Sequence, residues 1–500
     1  MALNVEVKAD EVVRLVIQQL YELGYNESAE RLEKESGIQL EAPAVAHFRE
    51  SILSGNWTTA EGLLPSLRKS DGAGLKESKF LIRRQKFLEA LENKDFPRAL
   101  HVLQHELTPL GIWIDKVHKL SRLMMCSSEE QLRKESHWDG SKGTSRQRLL
   151  ESLQHYISPE RMLAPHRLQT LLLQAMAYQT SRCLEHNTHE AVQSLCRDHQ
   201  CERTTLAYKT SYTLEGHTDE IWSLAFSNNG EHLVTASKDA TAMIWETKTF
   251  TRKATLKGHS RPISFCAWSP DDSMILTVGK DHVVKLWSSD GEYLRTFEKH
   301  TKEVTACAWL SDGLRFLTAS LDGTLYFWTV TGTILQKWTC HEPTDLVVWP
   351  DSSKFIVALA HCMLSCFDLE TLSSEPLWSV TEDGLVTCLN LSRDGRYMLI
   401  SLISGPIHLW DLEIRAVIRR YTGHQQDRMV IRSCLGGIDE KFVASGSTDG
   451  KVYIWHRYLE QLVHVLEGHK EMVNSVAWHP THPHMLASAS DDRTVRIWGL

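Results

Sequence analysis

Apolar residues follow one rhythm in the first two hundred positions of the chain and another in the rest. Up to about residue 200 they recur every three or four positions, the spacing of helices with one buried face. Beyond it they come in short alternating runs separated by turn residues, the spacing of strands. Val12, Val16, Gln19, Leu20 and Leu23 form one stripe, with Val13 and Ile17 beside it. Gly24 ends this first helix, and Asn26 is read as the cap of a second that runs to Gly37. Two helices this short cannot bury their apolar faces alone, so a second copy is a natural partner. Further helices are expected at 44–53, 58–67, 75–91, 96–107, 147–156 and 167–182, with a capping box from Ser127 to Glu130 and a loop from Trp138 to Thr144.

The second half repeats. Five blocks close on Trp245, Trp287, Trp328, Trp455 and Trp498, each with Asp six residues earlier. Weaker blocks close on Phe367 and Trp410, and successive spacings are 42, 41, 39, 43, 45 and 43 residues. That period, with Gly-His and Trp marks, is the pattern of WD repeats with four strands per blade. It also accounts for many of the 16 tryptophans. In each blade a His and a turn Asp are expected to bond, with the chain continuing through Ser to the indole N–H. The sets are His217, Ser237, Asp239, Trp245; His300, Ser320, Asp322, Trp328; His424, Ser447, Asp449, Trp455; and His469, Ser490, Asp492, Trp498. The second copy has His259, Asp281 and Trp287, but Gly279 at the Ser position, so its network is expected to be incomplete. The fourth keeps His341 and ends on Phe367; the fifth keeps only Trp410, and both are expected to rely on apolar packing. The last copy lacks its outermost strand. Alternating Leu206, Tyr208, Tyr212 and Leu214 supply one, closing a seven-bladed ring.

Composition adds exclusions. The net charge is -8, with no concentrated basic face to favour nucleic acid. No apolar run is long enough to span a membrane, and no secretory leader is evident. The 11 cysteines are scattered, and Cys266, Cys307 and Cys388 sit in apolar strands, as buried thiols of a reducing compartment do. A cytoplasmic or nuclear location is expected. No catalytic residue, cofactor site or metal site is expected. The His/Ser/Asp sets repeat, whereas a catalytic triad occurs once. Cys196, His199 and Cys201 lie close together but lack a fourth ligand and a Cys-x-x-Cys pair. Loops around the Gly-His marks and Asp turns share one propeller face. Glu220, Trp222, Lys238, Lys280, Glu303, Met472, Asn474 and Arg493 are the candidate partner-binding residues there.

The first helical pair resembles a LisH motif through Ile17, Leu20, Leu23, Gly24-Tyr25, Ala29, Leu32 and Glu35. FRESILSGNWTTAEGLL resembles a CTLH motif, and the later helices look like CRA-type helices. With LTPL at 107–110, RLQTLL at 167–172 and KVYIWH at 451–456, the whole chain resembles the WD repeat-containing protein 26 family. The resemblance implies an α + β multidomain chain: a tail at 1–8, LisH at 9–40, CTLH at 41–99, a CRA-like region at 100–204, and a seven-bladed WD40 propeller at 205–500 with its closing strand at about 205–214. It implies self-association through Val16, Ile17, Leu20, Leu23, Tyr25, Ala29 and Leu32. It further implies a non-catalytic scaffold of a GID/CTLH-type ubiquitin ligase that joins other LisH/CTLH subunits and RING-type subunits and recruits substrate proteins for degradation. A free signalling scaffold that binds G-protein βγ subunits is the alternative. Cullin-four receptors often carry W-D-x-R; the single Trp-Asp pair, Trp410-Asp411, is followed by Glu413 instead.

Overall fold

The computed structural model describes residues 8–67, 74–126, 128–136, 138–158, 161–187, 195–199, 201, 209–403, 405–427 and 429–499. The chain divides into two units, Met1–Ala175 and Met176–Leu500. The expected tail at 1–7, Ser127 of the capping box, and Leu206 and Tyr208 of the closing strand lie outside the described residues.

The first unit is helical. Ala9–Glu22 and Asn26–Ser36 form an antiparallel pair, joined across Gly24, whose φ of 87° suits a residue without Cβ. Gly37, with φ 72°, ends the second helix in the left-handed conformation. The expected cap at Asn26 is corrected: Tyr25 occupies the cap position, and Asn26 is already helical with no capping bond from either side chain. Pro43–Ser54, Trp57–Leu67, Leu75–Glu92, Phe96–His101 and Ser145–Gln154 lie where helical spacing placed them. Phe96–His101 runs on as a π-helical stretch, Val102–Leu107. Ile114–Leu123 is a further helix that the periodicity reading passed over; it buries Leu120 and Leu123. The helix Glu129–Ser136 starts where Ser128 Oγ accepts the Gln131 N–H at 3.2 Å.

Leu75–Glu92 holds this unit together, because it buries side chains on opposite sides. Ile82 joins a core of Val45, Phe48, Ile52, Leu64 and Leu153, while Phe80, Phe87 and Leu88 join another with Leu103, Leu120 and Trp138. Between them Gln85 donates to Ser145 Oγ at 2.9 Å and accepts the Trp138 indole N–H at 3.1 Å, so the buried amide is satisfied. Arg146 clamps Glu89 through two bonds of 2.9 and 3.0 Å.

The second unit contains seven four-stranded antiparallel sheets. The first comprises Ile221–Phe226, His232–Ser237, Thr241–Glu246 and Arg252–Lys257. The last comprises Val473–Trp478, Leu486–Ser490 and Thr494–Trp498, and its fourth strand is Thr210–Glu215 from the start of the propeller. Leu214 pairs with Val495 and Tyr212 with Ile497, so ring closure follows the expected borrowing. The architecture is therefore a helical region followed by a seven-bladed propeller. No described helix is long and apolar enough to cross a membrane.

Candidate interaction surfaces

The repeated polar marks rigidify the blades. His217 Nδ1 lies 2.9 Å from Asp239 Oδ2, and its Nε2 lies 2.8 Å from Thr235 Oγ1. The Trp245 indole N–H donates to the same Thr235 oxygen at 3.0 Å. The carboxylate only accepts and the indole only donates, so Nδ1 carries the imidazole proton and Nε2 accepts from the hydroxyl. The relay runs through Thr235, two residues before the expected Ser237. Ser237 instead donates to the Glu220 carbonyl at 2.8 Å and accepts the Asp239 N–H at 3.1 Å. Both residues lie on the same strand face, but Leu233 is paired with Trp245, so Thr235 is one step closer to the indole, while Ser237 ends the strand beside the Asp turn. Ser320 and Ser490 are corrected in the same way: the relays pass through Thr318 and Ser488.

The second blade is complete, contrary to expectation. Thr277 links His259 and Trp287 at 2.8 Å each, and Asp281 meets His259 at 2.8 Å. Gly279 falls at the capping position, outside the relay. The sixth blade is the incomplete one. Asp449 takes the Tyr453 hydroxyl at 2.8 Å, and Trp455 donates to the Thr422 carbonyl at 2.9 Å. His424 touches Gln426 at 3.3 Å, and its Nδ1 has no partner among the described residues. The stretch from His424 to Ser447 is three residues longer than from His217 to Ser237, which displaces the histidine from its aspartate. The fifth blade retains more than Trp410: the Trp410 indole donates to buried Glu382, whose other oxygen lies 3.0 Å from His408 Nδ1. The fourth blade packs Trp338, Phe355 and Phe367 against one another with centroids 5.0–6.3 Å apart. Burial opposes ionisation of Asp239 and Asp492, but the bonds from His217 and His469 and from nearby backbone N–H groups hold both carboxyls well below the usual range.

These rigid blades place one depression at the mouth of the central channel, about 350 Å³ in volume. It gathers six of the eight expected face residues: Glu220, Trp222, Lys280, Glu303, Met472 and Asn474. Lys238 sits behind it, bonded to Glu220 at 2.7 Å, while Arg493 is not among its lining residues. Trp222 donates its indole N–H to Glu220 at 2.9 Å, and the Lys280 ammonium stands 4.8 Å from the Trp222 ring centroid. Asn474 is buried and donates to the Ile221 carbonyl and to Asp491, so it braces the wall. Burial, reinforced by Glu220 and Glu471, raises the Asp491 carboxyl above its usual value. Met429 and Val430, 49% and 54% exposed, add an apolar rim that the repeat pattern did not flag, because they lie in the extra residues after His424. Arg432 supports this segment from below, paired with buried Asp345 at 3.3 Å and stacked 4.3 Å from the Phe265 ring. The result is an aromatic and thioether floor ringed by fixed charges, the composition of a protein-binding hot spot.

A separate apolar surface lies on the first helical pair. Ile17 and Ala29 are fully buried between the helices, but Val12, Val16, Leu23 and Tyr25 are 38–60% exposed on the described chain. Leu20 and Leu32 are half-buried beside them. The seven residues expected to act in self-association therefore divide: two hold the hairpin together, two flank it, and Val16, Leu23 and Tyr25 face outward.

Residues 4–42 match the WDR26 Lis-homology domain, 44–166 a TPR1-like, CTLH-containing domain, 201–455 the IFT122 first beta-propeller family, and 460–499 the WD domain, G-beta repeat. A WD repeat-containing protein 26 homolog of Arabidopsis thaliana is 36% identical across 99% of this chain and 85% of its own length. The Drosophila melanogaster homolog is 36% identical across 98% of this chain and 80% of its own length. GID complex subunit 7 of Schizosaccharomyces pombe is 36% identical across 98% and 96% respectively. With such identity sustained over nearly the entire length, the chain belongs to the WD repeat-containing protein 26 family.

Proposed function

We propose that this chain is a non-catalytic scaffold and substrate-recruiting subunit of a GID/CTLH-type ubiquitin ligase. The observation that carries the reading is near full-length similarity to GID complex subunit 7 of fission yeast. The arrangement of surfaces supports it. The LisH-like pair exposes Val12, Val16, Leu23 and Tyr25, an apolar strip suited to a second copy or to another LisH-bearing subunit. The CTLH-like and CRA-like helices, between about 41 and 204, join the remaining subunits, RING-type ones among them. The propeller depression around Trp222 and Met472 receives the protein to be degraded. Ubiquitin transfer belongs to the RING-type partners; the His–Asp pairs of four blades bond to each other inside the blades, which gives them an architectural role. The protein acts in the cytoplasm or nucleus, where such ligases meet their substrates.

The test is complementation. Cells lacking the chain receive either wild type or Trp222→Ala/Met472→Ala, and ubiquitylated proteins are quantified under proteasome inhibition. The account expects wild type to restore a set of ubiquitylated proteins and the double variant to restore few of them while remaining in the assembly. No change in ubiquitylation on removing the chain would refute the proposal.

A further inference from the structure

Four potential metal ligands converge on the stretch that leads into the propeller, none of them used by the surfaces above. Cys183 Sγ, a His199 ring nitrogen and Cys201 Sγ all lie within 4.8 Å of one another. His199 Nε2 is 3.0 Å from Cys201 Sγ, and His186 Nδ1 is 3.2 Å from the same sulfur. The two imidazoles stand edge to face with centroids 4.6 Å apart. With Zn–S near 2.3 Å and Zn–N near 2.0 Å, a tetrahedral ion holds its N and S ligands about 3.5 Å apart. The two imidazole–Cys201 spacings are a few tenths of an ångström short of that, while His186 stands outside the tighter group of Cys183, His199 and Cys201 and must rotate to complete it.

We propose that Cys183, His186, His199 and Cys201 form a structural zinc site. The spacing is Cys-x2-His, twelve residues, then His-x-Cys, a paired arrangement. Sequence reading missed it by grouping Cys196 with His199 and Cys201 and by seeking a Cys-x-x-Cys pair. Cys183 and His186 supply the other half, from the end of the helix Arg167–Arg182. The ligand set is closed, two thiolates and two imidazoles, with no position left for substrate, as structural zinc requires. Binding releases the two thiol protons, and the dipositive ion with two thiolates leaves the site neutral.

The site has a structural purpose. Asn187, beside it, is fastened to the propeller by accepting the Ile438 N–H at 2.9 Å and donating to the Pro483 carbonyl at 2.6 Å. Zinc beside Asn187 locks the segment against the sixth and seventh blades.

The test uses the full chain, expressed in zinc-supplemented medium and purified without chelator. Metal content is read by plasma mass spectrometry, and the apo protein is titrated with cobalt(II). Wild type should carry about one zinc per chain. Cobalt should give intense visible bands of a tetrahedral sulfur-nitrogen site. Cys183→Ser/Cys201→Ser and His186→Ala/His199→Ala should each lose both signals while keeping propeller near-ultraviolet dichroism. Zinc absent from wild type, octahedral cobalt spectra, a Cys183–Cys201 disulfide in the purified chain, or zinc retained by both folded double variants would each overturn the proposal. Since wild type alone decides the first three outcomes, misfolding of a variant does not shield it.

Discussion

Replacing Thr318 by Val removes one hydroxyl and strands two buried partners. His300 Nε2 loses a contact of 2.9 Å, and the Trp328 indole loses its acceptor at 3.0 Å. Thr318 is fully buried, so water cannot replace the hydroxyl without opening the blade. Each unsatisfied buried group costs about 1–3 kcal/mol, and the isosteric methyl leaves no cavity to add. The sum is about 2–6 kcal/mol. Ser320→Ala makes the contrast: it removes a bond to the Lys302 carbonyl at 3.1 Å and the cap on Asp322 N–H at 3.2 Å. Both groups lie near the blade surface, where solvent substitutes, and the expected loss is about 1 kcal/mol. In thermal unfolding of the full chain followed by tryptophan fluorescence, about 2 °C per kcal/mol is expected for a domain this large. Thr318→Val should then lower the propeller midpoint by roughly 4–12 °C and Ser320→Ala by roughly 2 °C. Thr277→Val should match Thr318→Val, since the second blade has the same relay despite Gly279. A Ser320→Ala loss equal to or larger than that of Thr318→Val would refute the placement of the relay.

Other consequences follow from the same geometry. Val16→Asp/Leu23→Asp puts two charges on the exposed helical strip; the chain should stay folded by circular dichroism but fall to the smallest species in light scattering. An unchanged mass would count against self-association through this pair. Glu382→Ala should destabilise the fifth blade by about 2–4 kcal/mol, because it strands both His408 and the Trp410 indole; denaturant unfolding with no change in midpoint would show that the pair is idle. Burial holds His456 and His479 neutral down to about 4. Their folded values lie below those of the unfolded chain, so between about 6.5 and 4 the unfolded state binds more protons and stability falls as pH falls. His479→Gln should flatten that slope in urea titrations at stepped pH, and an unaltered slope would contradict the assignment.

The propeller was legible because its repeat carries redundant marks: Asp six residues before Trp, five times over, leaves little freedom in register. The relay was misplaced because Thr235 and Ser237 share one strand face and both look suitable in sequence, and only their distance along the strand from Trp245 separates them. Glu382 and His408 escaped notice because they replace the usual pair from different positions in the blade. Six of the candidate face residues share one depression because they sit at repeat-defined loops. Met429 and Val430 were missed because an insertion has no counterpart in the other blades. Ile114–Leu123 went unread because Trp113, with φ 49°, opens it without any capping side chain.

Native affinity purification of the full chain, with mass spectrometry of its partners and a mass measurement of the eluted assembly, tests the central claim most directly. The account predicts a large assembly containing other LisH/CTLH subunits and at least one RING-type subunit in comparable amounts. It further predicts that Trp222→Ala/Met472→Ala preserves these subunits, while Val16→Asp/Leu23→Asp reduces the mass of the assembly. A chain recovered as a monomer, or in an assembly free of RING-type subunits, would contradict it.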